Sequence, residues 1–177
     1  SGGTLQGTAA FTCSGTYTWS GGTMTAAGTT NANGTLVLTG GTVDVTGGRI
    51  LNTSSSVTWG GSAVVRLGTG AVVNNAGTWD VQNDLNMQNP FGGTAVFNNS
   101  GTFRKSAGAA TTTVFSSITG FHNTGTVTAQ TGTIQLQPNG THTGAFNATG
   151  GTIQLAVGTH DLGAGTSFSG AVQLVSG

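Results

Sequence analysis

The chain has 177 residues, 33 of them glycine and only 2 proline, and its four basic and four acidic residues leave no net charge. Charged residues make up 5% of it, against about a quarter in ordinary soluble domains, so no basic surface is available for a nucleic-acid backbone or an anionic membrane. No apolar run approaches the length of a membrane span, the first residues do not read as a signal peptide, and Cys13 is the only cysteine, which excludes an intrachain disulfide and a cysteine-based metal site.

Apolar residues never recur at i, i+3, i+4 and i+7 over several turns, so essentially no helix is expected. Val, Ile, Leu, Phe, Trp and Thr recur instead at short intervals between Gly-Thr turns, a pattern of short strands. Taken in chain order, the segments "FTCSGTYTW" from Phe11, "TNANGTLVL" from Thr30, "LNTSSSVTW" from Leu51 and "VNNAGTWDV" from Val73 fall into line. They are followed by "FNNSGTFRK" from Phe97, "FHNTGTVTA" from Phe121 and "FNATGGTIQL" from Phe146, and "FSGAVQL" from Phe168 ends the series. From Val73 to Phe146 the starting positions differ by 24, 24 and 25 residues.

A period of this size marks a solenoid, here about eight copies of roughly 19–25 residues. Each copy holds three short strands. One copy reads Trp79 and Val81, then Leu85 and Met87, then Ala95 and Phe97; another reads Val127 and Ala129, then Ile134 and Leu136, then a strand leading into Phe146. The fold expected is therefore all-β: a single-domain parallel β-solenoid over residues 1–177, right-handed by the chirality of parallel strand connections. Successive coils pair about 4.8 Å apart along the rod.

Stacking places like on like. Phe97, Phe121, Phe146 and Phe168 are expected in one internal ladder, continued upstream by Val73 and Leu51. Tyr17, Leu36, Val57, Trp79, Phe103, Val127, Ile153 and Val172 are expected in a second. Asn52, Asn75, Asn98, Asn123 and Asn147 fall at one corner, where an amide ladder accounts for them better than glycosylation of the N-x-S/T matches, which are short and frequent by chance. Corner glycines are expected to supply unusual φ. Thr16, Thr35, Thr78, Thr102, Thr126 and Thr152 form an outward column, the best candidate binding surface.

The units "NxGTΦxΦ" and "GGTΦxΦ" (Φ, apolar) resemble the β-strand repeats of large bacterial surface and secreted proteins, autotransporter passenger domains and haemagglutinin-like adhesins among them. The resemblance covers nearly the whole chain. It implies an extracellular parallel β-helix acting as a stalk, adhesive surface or fibre. The first and last segments, "SGGTLQG" and "AVQLVSG", read as mid-pattern. The expected partner is therefore a second copy stacked end to end, or flanking repeats of a longer chain, since an open coil edge templates another strand.

Residues for catalysis are scarce. Asp80, Asp84 and Arg104 come nearest to the carboxylate cluster of a β-helix polysaccharide lyase, but the alignment makes Asp80 and Arg104 an ordinary cross-strand ion pair. Lys105 falls at an inward position, where the strand is expected to bulge or end. His122, His142 and His160 fall in different columns, so no shared metal is expected, nor any cofactor. The expected function is a non-enzymatic structural or adhesive element. A glycan or ice surface bound by the Thr and Asn face is the alternative, although Asp80 and Arg104 interrupt its second column.

Overall fold

The computed structural model describes residues 2–176. The chain winds as a three-sided β-solenoid of about eight coils, every strand pair parallel, with no helix among the described residues. The first face stacks Tyr17–Trp19, Leu36–Leu38, Ser56–Trp59, Thr78–Val81, Thr102–Lys105 and Thr126–Ala129. The second stacks Gly3–Leu5, Gly22–Met24, Thr42–Val45, Val64–Leu67, Met87–Gln88, Thr111–Val114 and Thr133–Leu136. The third stacks Phe11–Cys13, Thr29–Ala32, Ile50–Thr53, Ala71–Asn75, Ala95–Asn99, Gly120–Asn123, Gly140–His142 and His160–Leu162. In the last two coils the corner between the first two faces straightens. Ala145–Ala156 and Ser167–Val175 each run across both, which joins these faces into one 15-stranded sheet.

Alternation along each strand sends every second side chain inward. Leu36, Val57, Trp79, Phe103 and Val127 stack on the first face, all fully buried. Leu51, Val73, Phe97 and Phe121 do the same on the third. The Phe97 and Phe121 rings lie parallel, 5.2 Å apart, and the Phe103 ring meets both edge-on.

Both expected ladders change partners after Phe121 and Val127. Val127 pairs with Phe146, and Phe146 with Phe168, so these two phenylalanines continue the first-face ladder, their rings stacked at 5.5 Å. Ile153 and Val172 lie on the second face with Ile134. The coil after Phe121 is shorter than the two before it, which are 24 residues long: Asn123 pairs with His142, only 19 residues on. The position below Phe121 thus falls to Gly140, which has no side chain to extend the ladder. A Cβ there would lie 2.1 Å from the Phe121 carbonyl oxygen and 2.6 Å from His142 Cε1, so the coil above and the leaning His142 imidazole both fill the space.

The corner glycines divide into two kinds. Gly47 and Gly48 adopt φ of 64° and 76°, as expected of residues that turn the chain. Gly77, Gly101, Gly125 and Gly144, at the corner leading into the first face, carry no positive φ. There a side chain would run into the carbonyl oxygen of the coil above. Close stacking, rather than φ, demands glycine at this corner.

Lys105 neither bulges nor ends its strand. It pairs in register with Val81 and Ala129, points inward and is fully buried. Its ammonium reaches out of the core, donating to the Asn83 carbonyl, to Asp84 Oδ1 at 2.7 Å and to Thr112 Oγ1 at 3.1 Å.

Candidate functional site

The outward hydroxyl column of the first face runs through Thr35, Ser56, Thr78, Thr102 and Thr126, with Thr16 stacked on Thr35 at its upper end. Thr35 and Ser56 hydroxyls are 3.2 Å apart. The column then meets Ala145 and Ser167. Thr152 is not part of it: this residue stacks on Thr133 of the second face. The neighbouring column reads Thr18, Val37, Thr58, Asp80, Arg104, Thr128, Asn147 and Ser169.

At its centre Arg104 grips Asp80 with two bonds, Nε–Oδ1 at 3.0 Å and Nη2–Oδ2 at 2.9 Å. Burial pushes the Asp80 carboxyl up, but hydrogen bonds from Arg104, Gln82 and Ser106 more than offset this and leave it below the usual range. Asp84 is bound by Lys105 instead, whose ammonium lowers its pKa. The three residues compared with a lyase cluster are thus divided between two ion pairs. Cations hold both carboxyls ionised, the opposite of tuning for proton transfer. A third pair, Arg66 with Asp44 on the second face, has two bonds of 2.7 Å, and its guanidinium lies over the Phe91 ring. The period of the sequence could have revealed it, since the two residues are 22 apart.

The asparagines form two ladders rather than one. Outside the third face, Asn98 donates to Asn74, Asn74 to Asn52 and Asn52 to Asn31, each bond 2.9 Å. Inside, Asn75 donates to Asn99 at 2.7 Å and Asn99 to Asn123 at 2.8 Å, all three buried. Asn52 and Asn98 therefore belong outside, and Asn75 and Asn123 inside. Asn147 belongs to neither, because it stacks on Thr128 of the first face. Beside the outer ladder run Thr29, Ile50, Val72 and Val96, all partly buried, which makes this strip flat and uncharged.

The C-terminal coil contrasts with these satisfied sides. Phe168 and Leu162 are each 47% exposed and Leu174 is 83% exposed. With Leu155, Val172 and His160 they line an open apolar hollow at the end of the rod. At its edge His142 and His160, expected in separate columns, meet. His142 Nε2 and His160 Nδ1 are 3.2 Å apart, and their rings stack at 5.4 Å. His142 is buried, and its Nδ1 has no partner. Burial and the neighbouring His160 and His122 lower its pKa to about 4, and burial also lowers that of His160. His122 lies outside the sheet, its Nδ1 accepting from the Thr141 backbone N–H at 3.1 Å.

No family model matches the chain, and no curated protein or solved structure matches it. The functional reading therefore rests on two kinds of surface. The sides of the rod are polar, with their hydrogen-bonding groups largely engaged along the stack. The C-terminal end offers apolar side chains and an unpaired strand edge.

Proposed function

We propose that this chain is a structural, non-enzymatic element of an extracellular surface assembly, a stalk or fibre protomer. Its C-terminal coil would stack on a further coil, the first coil of another copy or a flanking repeat of a longer chain. The observation that carries the reading is the exposed floor of that coil, above all Leu174 and Phe168. Edge strands present unpaired N–H and C=O groups that a further coil can complete.

The inward columns are compatible with continuation. The column ending in Phe168 begins with Tyr17, and the column ending in His160 begins with Phe11. Stacked head to tail, aromatic rings would meet aromatic rings in both. Zero net charge removes the long-range repulsion that would oppose such contacts.

Negative-stain electron microscopy over a range of concentrations tests the reading. Long unbranched filaments are expected from the wild-type chain, and short isolated rods from the double variant Phe168→Glu, Leu174→Glu. Short rods from wild type at every concentration would refute end-to-end assembly.

The outer asparagine ladder favours a second reading. Its amides, in register beside Ile50, Val72 and Val96, make a flat uncharged strip suited to a glycan or an ice surface. Asn74→Lys should then abolish ice shaping or glycan retention without shortening filaments.

A further inference from the structure

The interior of the third face changes character at its C-terminal end. One inward column carries Leu51, Val73, Phe97 and Phe121, then Gly140 and His160; the other carries Asn75, Asn99 and Asn123, then His142 and Leu162. His142 therefore stands at the next step of the inner amide ladder. By leaning over Gly140 it also places its ring where the phenylalanine stack would continue. Its ring meets Phe146 edge-on at 5.2 Å and stacks on His160.

One tautomer satisfies both contacts: with a proton on Nε2, His160 donates to the Ala156 carbonyl at 3.4 Å and leaves its Nδ1 as an acceptor. His142 Nε2–H then donates to that Nδ1, and the buried Nδ1 of His142 stays bare. A second proton fits nowhere in this arrangement. On His160 Nδ1 it would oppose the His142 N–H; on His142 Nδ1 it would lie buried without an acceptor.

The surroundings give little compensation. Phe146 and Phe168 from the first face, and Leu155 and Ala156 from the second, bring no charge. On the third face His122 opposes protonation and exposed Asp161 favours it, the weaker of the two influences on His142.

We propose that His142 and His160 form a proton-operated latch on the C-terminal coil. Neutral, the pair holds His160–Leu162 and the strand after it on the rod; protonated, it releases them. Because the stacking edge of the proposed filament is this same coil, acid would also dissolve end-to-end contacts, a consequence that rests on the stacking reading.

Hydrogen exchange of the full chain, corrected for intrinsic rates, tests the latch. Between pH 7.5 and 4.5 the opening of residues 157–175 should rise at least about tenfold, while residues 95–99 change little. The double variant His142→Phe, His160→Gln should lose this response. His160→Gln alone, at the half-exposed position where Gln can still accept from His142, should retain the fold and shift the midpoint. Equal opening at both pH values, or the same rise in the double variant, would overturn the proposal. Filament length measured in parallel separates the two readings. Filaments that shorten in acid only when both histidines are present support both. Absence of filaments at every pH refutes stacking and leaves the exchange result to decide the latch.

Discussion

Replacing Phe121 by alanine removes a fully enclosed ring from the middle of the rod, packed against Phe97 and Phe103. Phenylalanine-to-alanine changes in a core that cannot collapse cost about 3–5 kcal/mol. The lower and upper coils hold the backbone here from both sides, so relaxation is small and the upper part of that range is expected. Phe168→Ala, at the half-exposed end of the first-face ladder, should cost about 1 kcal/mol or less. A double-mutant cycle adds a test of register. Phe97 and Phe121 stack face to face, and their coupling should be about 0.5–1.5 kcal/mol. Phe121 and Phe146, on different faces, should couple much more weakly. Urea unfolding of the single and double variants gives each value. Coupling between Phe121 and Phe146 that exceeded the Phe97–Phe121 value would refute the pairing of Gly140 below Phe121.

Asn99→Ala should cost about 1–3 kcal/mol, because it leaves the buried Asn123 Oδ1 without its donor, while Asn75 Nδ2 keeps the Thr102 carbonyl; a loss under about 0.5 kcal/mol by thermal unfolding, below the usual net worth of one bond, would show that the inner ladder is not closed. Lys105→Met keeps the aliphatic stem and loses the ammonium, at an expected cost of about 1–3 kcal/mol. Asp84, with a side chain 38% exposed, recovers water and limits the loss. A more stable Met variant would mean that desolvation of the ammonium outweighs its three bonds. Stability should also fall with acid. His142 has its pKa lowered on folding from 6.5 to about 4, so its contribution is complete above 6.5 and is lost as pH falls toward 4, a total of about 3 kcal/mol. Asp80 and Asp84, lowered from 3.8, withdraw their contributions only below that window. Urea titrations at pH 7.5 and 4.5 should show the difference in wild type and not in His142→Phe.

The sequence made the coil legible wherever identical residues repeat at one spacing. Gly101-Thr102 and Gly125-Thr126 repeat at 24, and the structure pairs them in register. Legibility failed where a coil shortened. Gly140 has no side chain to mark its place in the column, so Phe146, six residues later, looked like the missing rung. The misplacements of Phe146, Phe168, Asn147, Thr152 and Ile153 all follow from this slip; His142 and His160 do lie in separate columns, and they meet only because the His142 ring leans across. The mixture of asparagines had a different origin. Asn74-Asn75 and Asn98-Asn99 are adjacent pairs, and alternation along a strand sends one member of each outward and the other inward. The same alternation separates the outer ladder of Asn52, Asn74 and Asn98 from the inner one of Asn75, Asn99 and Asn123. Lys105 could not be placed from its own coil, because Asn83 and Asp84, which hold its ammonium, lie more than 20 residues upstream.

Every ladder bond runs along the rod, and the first and last coils lie at opposite ends of it. Tension applied between those ends pulls parallel to the bonds, so it peels one coil at a time instead of shearing all three faces together. A released coil of about 20 residues extends to roughly 65–70 Å, against the roughly 5 Å it occupied in the stack. A rod built this way yields at modest force and gains length in steps. It would act under load as an extensible tether that rewinds when the pull relaxes.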